Sequence, residues 1–191
     1  MKKSIVILAS GDGSLAQSIM NAVQSGELDA KVAAVVCDQP KAKVLERASA
    51  GQITAKIVPM LNDRREWDAL IFSTVASLAP DLVVSAGFMR ILSPEFVSKF
   101  RVINAHPALL PLFPGAHAVS ETLDSGASVA GATIHWVDAG VDTGEIIAQR
   151  EVEILDSDDV KSLHERIKIV ERELIVETIR EILPKLGERN G

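Results

Sequence analysis

The stretch "SIVILASGDGSLAQSIM", residues 4–20, decides the fold. It opens as an apolar run of strand length and breaks at Gly11 and Gly13. Leu15, Ile19 and, just beyond it, Val23 then follow at helical spacing. Two lysines precede the run and imitate a secretory signal, but the apolar part is short and enters the glycine turn with no cleavage pattern. A first strand, a tight turn and a helix are expected instead.

The alternation continues outward. "AKVAAVVC" reads as a second strand, "PKAKVLERASAG" as a helix opening at Pro40 and closing at Gly51, and "TAKIVP" as a short third strand. "DRREWDALIFSTVASLAP" is a long helix opened by Asn62 or Asp63; "DLVVSAG" and "RVINA" are strands four and five. Strands that are apolar throughout, separated by helices, indicate a parallel sheet covered on both faces. Near residue 128 the pattern changes to two longer strands, "SVAGATIHWVDAG" and "GEIIAQREVEI", split by the loop "DAGVDTG" and expected to pair antiparallel. A long terminal helix with an acidic first turn runs to about Pro184, and residues 185–191 are expected to fray. The expected fold class is α/β: a three-layer Rossmann-like open sheet, mostly parallel, with an antiparallel C-terminal extension and helices on both faces. Residues 1–191 suit a single domain, with a phosphate-binding half at about 1–100 and a catalytic half at about 86–191.

Composition narrows the function. The formal net charge of −6 disfavours nucleic acid as a partner, and no segment has the length to cross a membrane. The single cysteine, Cys37, cannot form an internal disulfide and is expected to be a buried strand residue; no Cys/His cluster has metal spacing. A cytoplasmic location fits. Gly11-Asp12-Gly13-Ser14-Leu15-Ala16 satisfies the G-x-G-x-x-[G/A] pattern, and Asp38 at the end of strand two stands where a ribose-binding acid would in a dinucleotide fold. That keeps a dinucleotide-binding module as one reading. The broader physics is that a helix start behind glycines binds phosphate of any origin, with Ser14 able to add a hydroxyl.

In "INAHPALLPLFPGAHAV", residues 103–119, a strand ends on Asn104 and His106, and Pro107, Pro111 and Pro114 stiffen the exit. Asp142 lies in the loop between the last two strands. In open sheets ligands sit at the carboxyl ends of strands, so residues 11–14, 87–92 and 104–106 should share one edge. An amide can donate to a developing oxyanion, an imidazole can carry a proton near neutral pH, and a carboxylate can hold the imidazole. Ser10, Ser14 and Cys37 do not resemble a nucleophile elbow. The expected chemistry is direct acyl transfer or hydrolysis, with the nucleophile supplied by a substrate. His117, His135 and His164 receive less weight than His106, and Asp138 competes with Asp142 on spacing.

"NAHPALLPLFPGAHAV" with "GATIHWVDAGVDTGEIIAQREVEI" resembles the glycinamide ribonucleotide formyltransferase family of de novo purine synthesis. The resemblance spans nearly the whole chain, including "LASGDGSLAQSI", "DLVVSAGFMRILSPEFV" and "LHERIKIVERELIV". It implies formyl transfer from 10-formyltetrahydrofolate, as co-substrate, to the amine of glycinamide ribonucleotide. It makes Asn104, His106 and Asp142 catalytic. Gly11, Gly13, Ser14, Leu15 and Glu171 would bind the ribonucleotide, although the family commonly has Asn at the position of Leu15 and His at that of Arg172. Arg64 (or Arg65), Met89, Arg90, Ile91, Leu92, Asn104, Asp138, Ala139, Gly140, Val141 and Asp142 would bind the folate. The family also has a cis bond matching Leu110–Pro111, and the chain would act as a monomer or homodimer with no metal. A related formyl hydrolase or tRNA formyltransferase-like enzyme is the runner-up; those relatives carry further domains for which this length leaves no room.

Overall fold

The computed structural model describes residues 2–187. Its elements run β1 (Lys3–Ala9), α1 (Ser14–Gln24), β2 (Ala30–Cys37), α2 (Lys43–Ala50), β3 (Ala55–Ile57), α3 (Arg64–Ser77), β4 (Leu82–Ser85), α4 (Pro94–Lys99), β5 (Val102–His106), α5 (Ala118–Asp124), β6 (Val129–Trp136), β7 (Ile146–Glu153) and α6 (Val160–Ile182). The seven strands form one sheet in the order β3-β2-β1-β4-β5-β6-β7. The first five are mutually parallel, and β6 and β7 are antiparallel. The expected α/β architecture is the observed one.

Alternation along the central strands explains why both faces are covered. Ile5, Ile7, Leu82, Val84 and Ile103 pack with α1, α2 and α6. Val6, Leu8, Val83 and Val102 pack on the other face with Trp67, Ile71 and Val75 of α3 and Phe96 of α4. Trp67 is fully buried, and its indole N–H donates to the Val58 carbonyl at 3.1 Å, so no polar group is stranded. Burial of side chains this size contributes roughly 1.5–3 kcal/mol each, more than the exposed ion pairs on the surface.

Local chemistry places the helix ends. Asp63, rather than Asn62, caps α3, accepting from the Arg65 and Glu66 amides. Ser93 caps α4, with Pro94 in its first turn. Helix α2 starts at Lys43, three residues after the expected Pro40, which instead sits in a turn closed by the Ala42 amide on the Gln39 carbonyl at 3.1 Å. The acids before α6 lie ahead of its first turn: Asp159 is the N-cap and forms a capping box with Ser162. Of the tail expected to fray, Lys185 ends a 3-10 turn and the Gly187 carbonyl accepts from Arg101; residues 188–191 fall outside the described residues. Helices α4 and α5 had no counterpart in the sequence reading, being too short for periodicity to show.

Two features of the topology position the site. Strand order reverses beside β1, which opens a crevice at the carboxyl ends of β1 and β4. The β6–β7 ladder slips between Ile134 and His135, because Ala148 faces Ile134 and Ile146 faces His135. Ile147 is the extra residue of that bulge.

Candidate functional site

Asn104 and His106 are two residues apart on β5 and point to the same face, with His106 the last residue of the strand. The antiparallel register sets His135 of β6 opposite Asn104. The Asn104 Nδ2 stands 3.2 Å from His135 Nε2, and His135 Nδ1 donates to its neighbour's carbonyl, Trp136 O, at 2.8 Å. With a proton on Nδ1, Nε2 stands between the Asn104 amide and the Asp142 carboxylate, accepting from the amide in the neutral ring and donating to the carboxylate in the charged one.

Asp142 completes the cluster. Its Oδ2 lies 3.3 Å from His106 Nδ1 and its Oδ1 3.4 Å from His135 Nε2. The Gly115 amide donates to Oδ2 at 2.8 Å. His106 Nε2 lies 2.8 Å from the Phe113 carbonyl. Hydrogen bonding with His135, and also with the Gly115 amide and beside His106, holds the Asp142 carboxyl below its usual value against the opposing effect of burial. Asp142 and Phe113 both adopt a left-handed backbone, φ 53°, uncommon outside glycine. Such backbones cost on the order of 1–3 kcal/mol each and persist where surrounding structure imposes them.

The proline loop is tied down from the sheet. Thr133 donates to the Ala108 carbonyl at 2.6 Å and accepts from the Leu110 amide; Gln149 donates to the Leu110 carbonyl at 2.7 Å. The Leu110–Pro111 bond is cis, as the resemblance implied.

Beside the cluster lies a cavity of about 570 Å³. Met89, Arg90, Ile91 and Leu92 line one wall, and Asp138, Gly140, Val141 and Asp142 another. Ala139 is exposed and does not line it. Asp138 and Asp142 are now distinguishable: the Asp138 carboxylate accepts from the Thr143 hydroxyl and the Gly140 amide of its own loop. Those bonds, Thr143 first, hold its pKa down. All four histidines of the chain, His106, His117, His135 and His164, line this one cavity. By sequence alone three of them receive less weight than His106, and for His135 the available signal is its place in one of two strands expected to pair antiparallel with each other.

Gly11, Gly13, Ser14 and Leu15 sit outside that lining, at the start of α1. The turn adjoins the cavity wall, since the Ser10 amide donates to the Gly87 carbonyl at 3.1 Å. Gly13 has φ 76°, and a Cβ there would lie 2.4 Å from Val44 Cγ2, so α2 can approach only because the residue is glycine. Asp12 pairs with Lys43 and Arg47, and Asp38 is buried against Arg90, which leaves its carboxylate engaged rather than offered to a ribose. Arg64 donates to the Ile91 carbonyl at 2.5 Å and to Asp68 at 2.9 Å, which ties it to the cavity wall. Arg65 contributes its backbone amide to the α3 cap.

Glu171 of α6 is only 8% exposed and is not part of the cavity lining. Burial pushes its carboxyl up from 4.5 to about 7. The folded chain therefore keeps a proton that the unfolded chain releases between those values, and stability falls as pH rises through that window. The full cost is on the order of 3 kcal/mol. Glu171→Gln should raise the unfolding free energy from urea titration at about pH 8 by an amount of that order, and the midpoint with it. The gain should vanish toward pH 4.5, the carboxyl's ordinary value. Equal midpoint shifts at both pH values would refute this account.

Comparison with known proteins agrees with the geometry. The formyl transferase family profile matches residues 3–179. A phosphoribosylglycinamide formyltransferase of Mycobacterium tuberculosis is 49% identical over 179 residues, covering 92% of this chain and 82% of the relative. One from Bacillus subtilis is 35% identical over 185 residues, covering 95% of each. The crystal structure of glycinamide ribonucleotide transformylase 1 from Symbiobacterium toebii superposes with a TM-score of 0.93 at 35% identity, over 99% of this chain and 92% of the other. The chain belongs to the formyl transferase family, among its phosphoribosylglycinamide formyltransferases.

Proposed function

We propose that the chain transfers the formyl group of 10-formyltetrahydrofolate to the amine of glycinamide ribonucleotide, giving formylglycinamide ribonucleotide and tetrahydrofolate. One observation carries this reading: the Asp142 carboxylate bridges two imidazoles, one of them beside the Asn104 amide, on the wall of a cavity large enough for a fused-ring ligand. The folate lies between the walls formed by residues 89–92 and 138–142, with Arg64 at its carboxylate tail. The ribonucleotide phosphate rests on Gly11, Gly13, Ser14 and Leu15, through backbone groups at the latter, and Glu171 meets its ribose hydroxyls.

The amine lone pair attacks the formyl carbon, and the carbonyl electrons move onto oxygen. Asn104 donates to that oxyanion through the N–H not directed at His135. Both ring nitrogens of His106 face oxygen acceptors, an arrangement that only the doubly protonated ring satisfies in full, and this ring supplies the second stabilising charge. Asp142 balances it and relays the proton lost by the amine to the departing folate nitrogen as the carbon–nitrogen bond breaks. Among the described residues no helix is long and apolar enough to cross a membrane.

The assay mixes the protein with 10-formyltetrahydrofolate and glycinamide ribonucleotide and follows the folate absorbance. Amine-dependent turnover is expected. Formate released at a comparable rate without the amine would assign the hydrolase reaction instead.

A further inference from the structure

Residues 87–92 run between β4 and α4 with no regular secondary structure, yet they form a wall of the cavity. Three separate elements pin them. At the end of β1, Ser10 donates its amide to the Gly87 carbonyl at 3.1 Å, and its hydroxyl accepts from the Met89 amide at 2.9 Å. At the end of β2, Asp38 Oδ2 accepts from Arg90 Nε at 2.7 Å. From α3, Arg64 donates to the Ile91 carbonyl.

The Asp38 contact is the unusual one. Its side chain is 1% exposed, while that of Arg90 is 30% exposed. The second carboxylate oxygen, Oδ1, is buried with no hydrogen-bond partner. A buried ion pair contributes little net stability against an apolar pair of the same size, and an unpartnered oxygen adds cost. What such a pair does supply is a directional tether across 52 residues of sequence. Gln39 also donates to Oδ2, at 3.2 Å, which holds the carboxylate in one orientation.

We propose that Asp38 is a positioning residue for the folate: through Arg90 it fixes residues 89–92 in the shape that receives the ligand, so it sets folate affinity and not the chemical step. Ser10 acts in the same way on Met89. This rests on the reading above that residues 89–92 meet the folate. It also gives the acid at the end of β2 a use other than ribose binding, because its charge is turned toward the wall of a different site.

The test measures tetrahydrofolate binding by calorimetry and steady-state kinetics in both substrates for Asp38→Asn. A wall displaced by a fraction of an ångström should weaken tetrahydrofolate binding and raise the folate KM about tenfold, with kcat and the ribonucleotide KM changed by no more than about threefold. Ser10→Ala should move the same two quantities in the same direction, and it provides the readout if Asp38→Asn does not fold. A lower melting temperature with folate affinity unchanged would overturn the proposal, as would equal losses for both substrates. If the wild-type protein itself fails to bind tetrahydrofolate, the folate reading falls and the tether's role falls with it; a wild-type protein that binds beside an unaffected variant condemns the tether alone.

Discussion

Asn104→Ala is expected to lower kcat by about two to three orders of magnitude while leaving both KM values within a few-fold of wild type. The reasoning is differential. On the proposed mechanism the amide's free N–H meets an oxygen that carries full negative charge only during the reaction, so its loss raises the barrier more than it weakens ground-state binding. A side effect is also expected: His135 Nε2 loses its 3.2 Å partner and is left facing Asp142 alone. Asn104→Asp separates the two effects, since it keeps the shape but places an acceptor where a donor is required, and it should be at least as damaging as alanine. Steady-state kinetics with thermal melts checks both; a fall in kcat below about tenfold would remove Asn104 from the oxyanion site.

Asp142→Asn should cost about a thousandfold in kcat. Among the described residues this carboxylate is the charge that faces both rings, and it also receives the Gly115 amide. A neutral amide can still accept from Gly115, so the loop should hold its place and substrate binding should persist. The proton relay should not. Because the Asp142 carboxyl is held below its usual value, chiefly by His135, the wild-type site keeps its carboxylate well into acid. The wild-type kcat profile, followed down through about pH 4, should therefore lack a carboxylate step at the ordinary aspartate value. An Asn variant retaining more than about a tenth of the wild-type rate would show that Asp142 shapes the loop and does no proton work. By contrast Asp138→Asn, at a carboxylate satisfied within its own loop, should leave the chemical step nearly unchanged.

What could be read without coordinates follows a physical division. Residues 4–20 showed their strand, turn and helix because continuous burial and the glycines are local facts. Asn104 and His106 were legible for the same reason: polar side chains at the end of an apolar strand need an explanation on the spot. His135 was not, since its role depends on which residue of β5 it faces, and register is a tertiary property. Asp138 and Asp142 tied on spacing, and the left-handed backbone at Asp142 together with the Gly115 amide breaks the tie. The Asp38–Arg90 contact lay beyond reach because neither residue has local context that names its partner. Glu171 illustrates a further cost: burying its carboxylate in α6 is at the expense of stability above neutral pH.

Ile147, the additional residue of β7, puts the ladder on either side of it out of phase. On one side Thr133 and Gln149 face each other and secure the proline loop; on the other His135 leads toward the loop bearing Asp142. The alignment of the His135 imidazole and the Asp142 carboxylate is therefore a matter of how many residues intervene, as well as which. A lineage could lose the site through a single-codon deletion that spares every polar group, and point substitutions alone would offer it no route back.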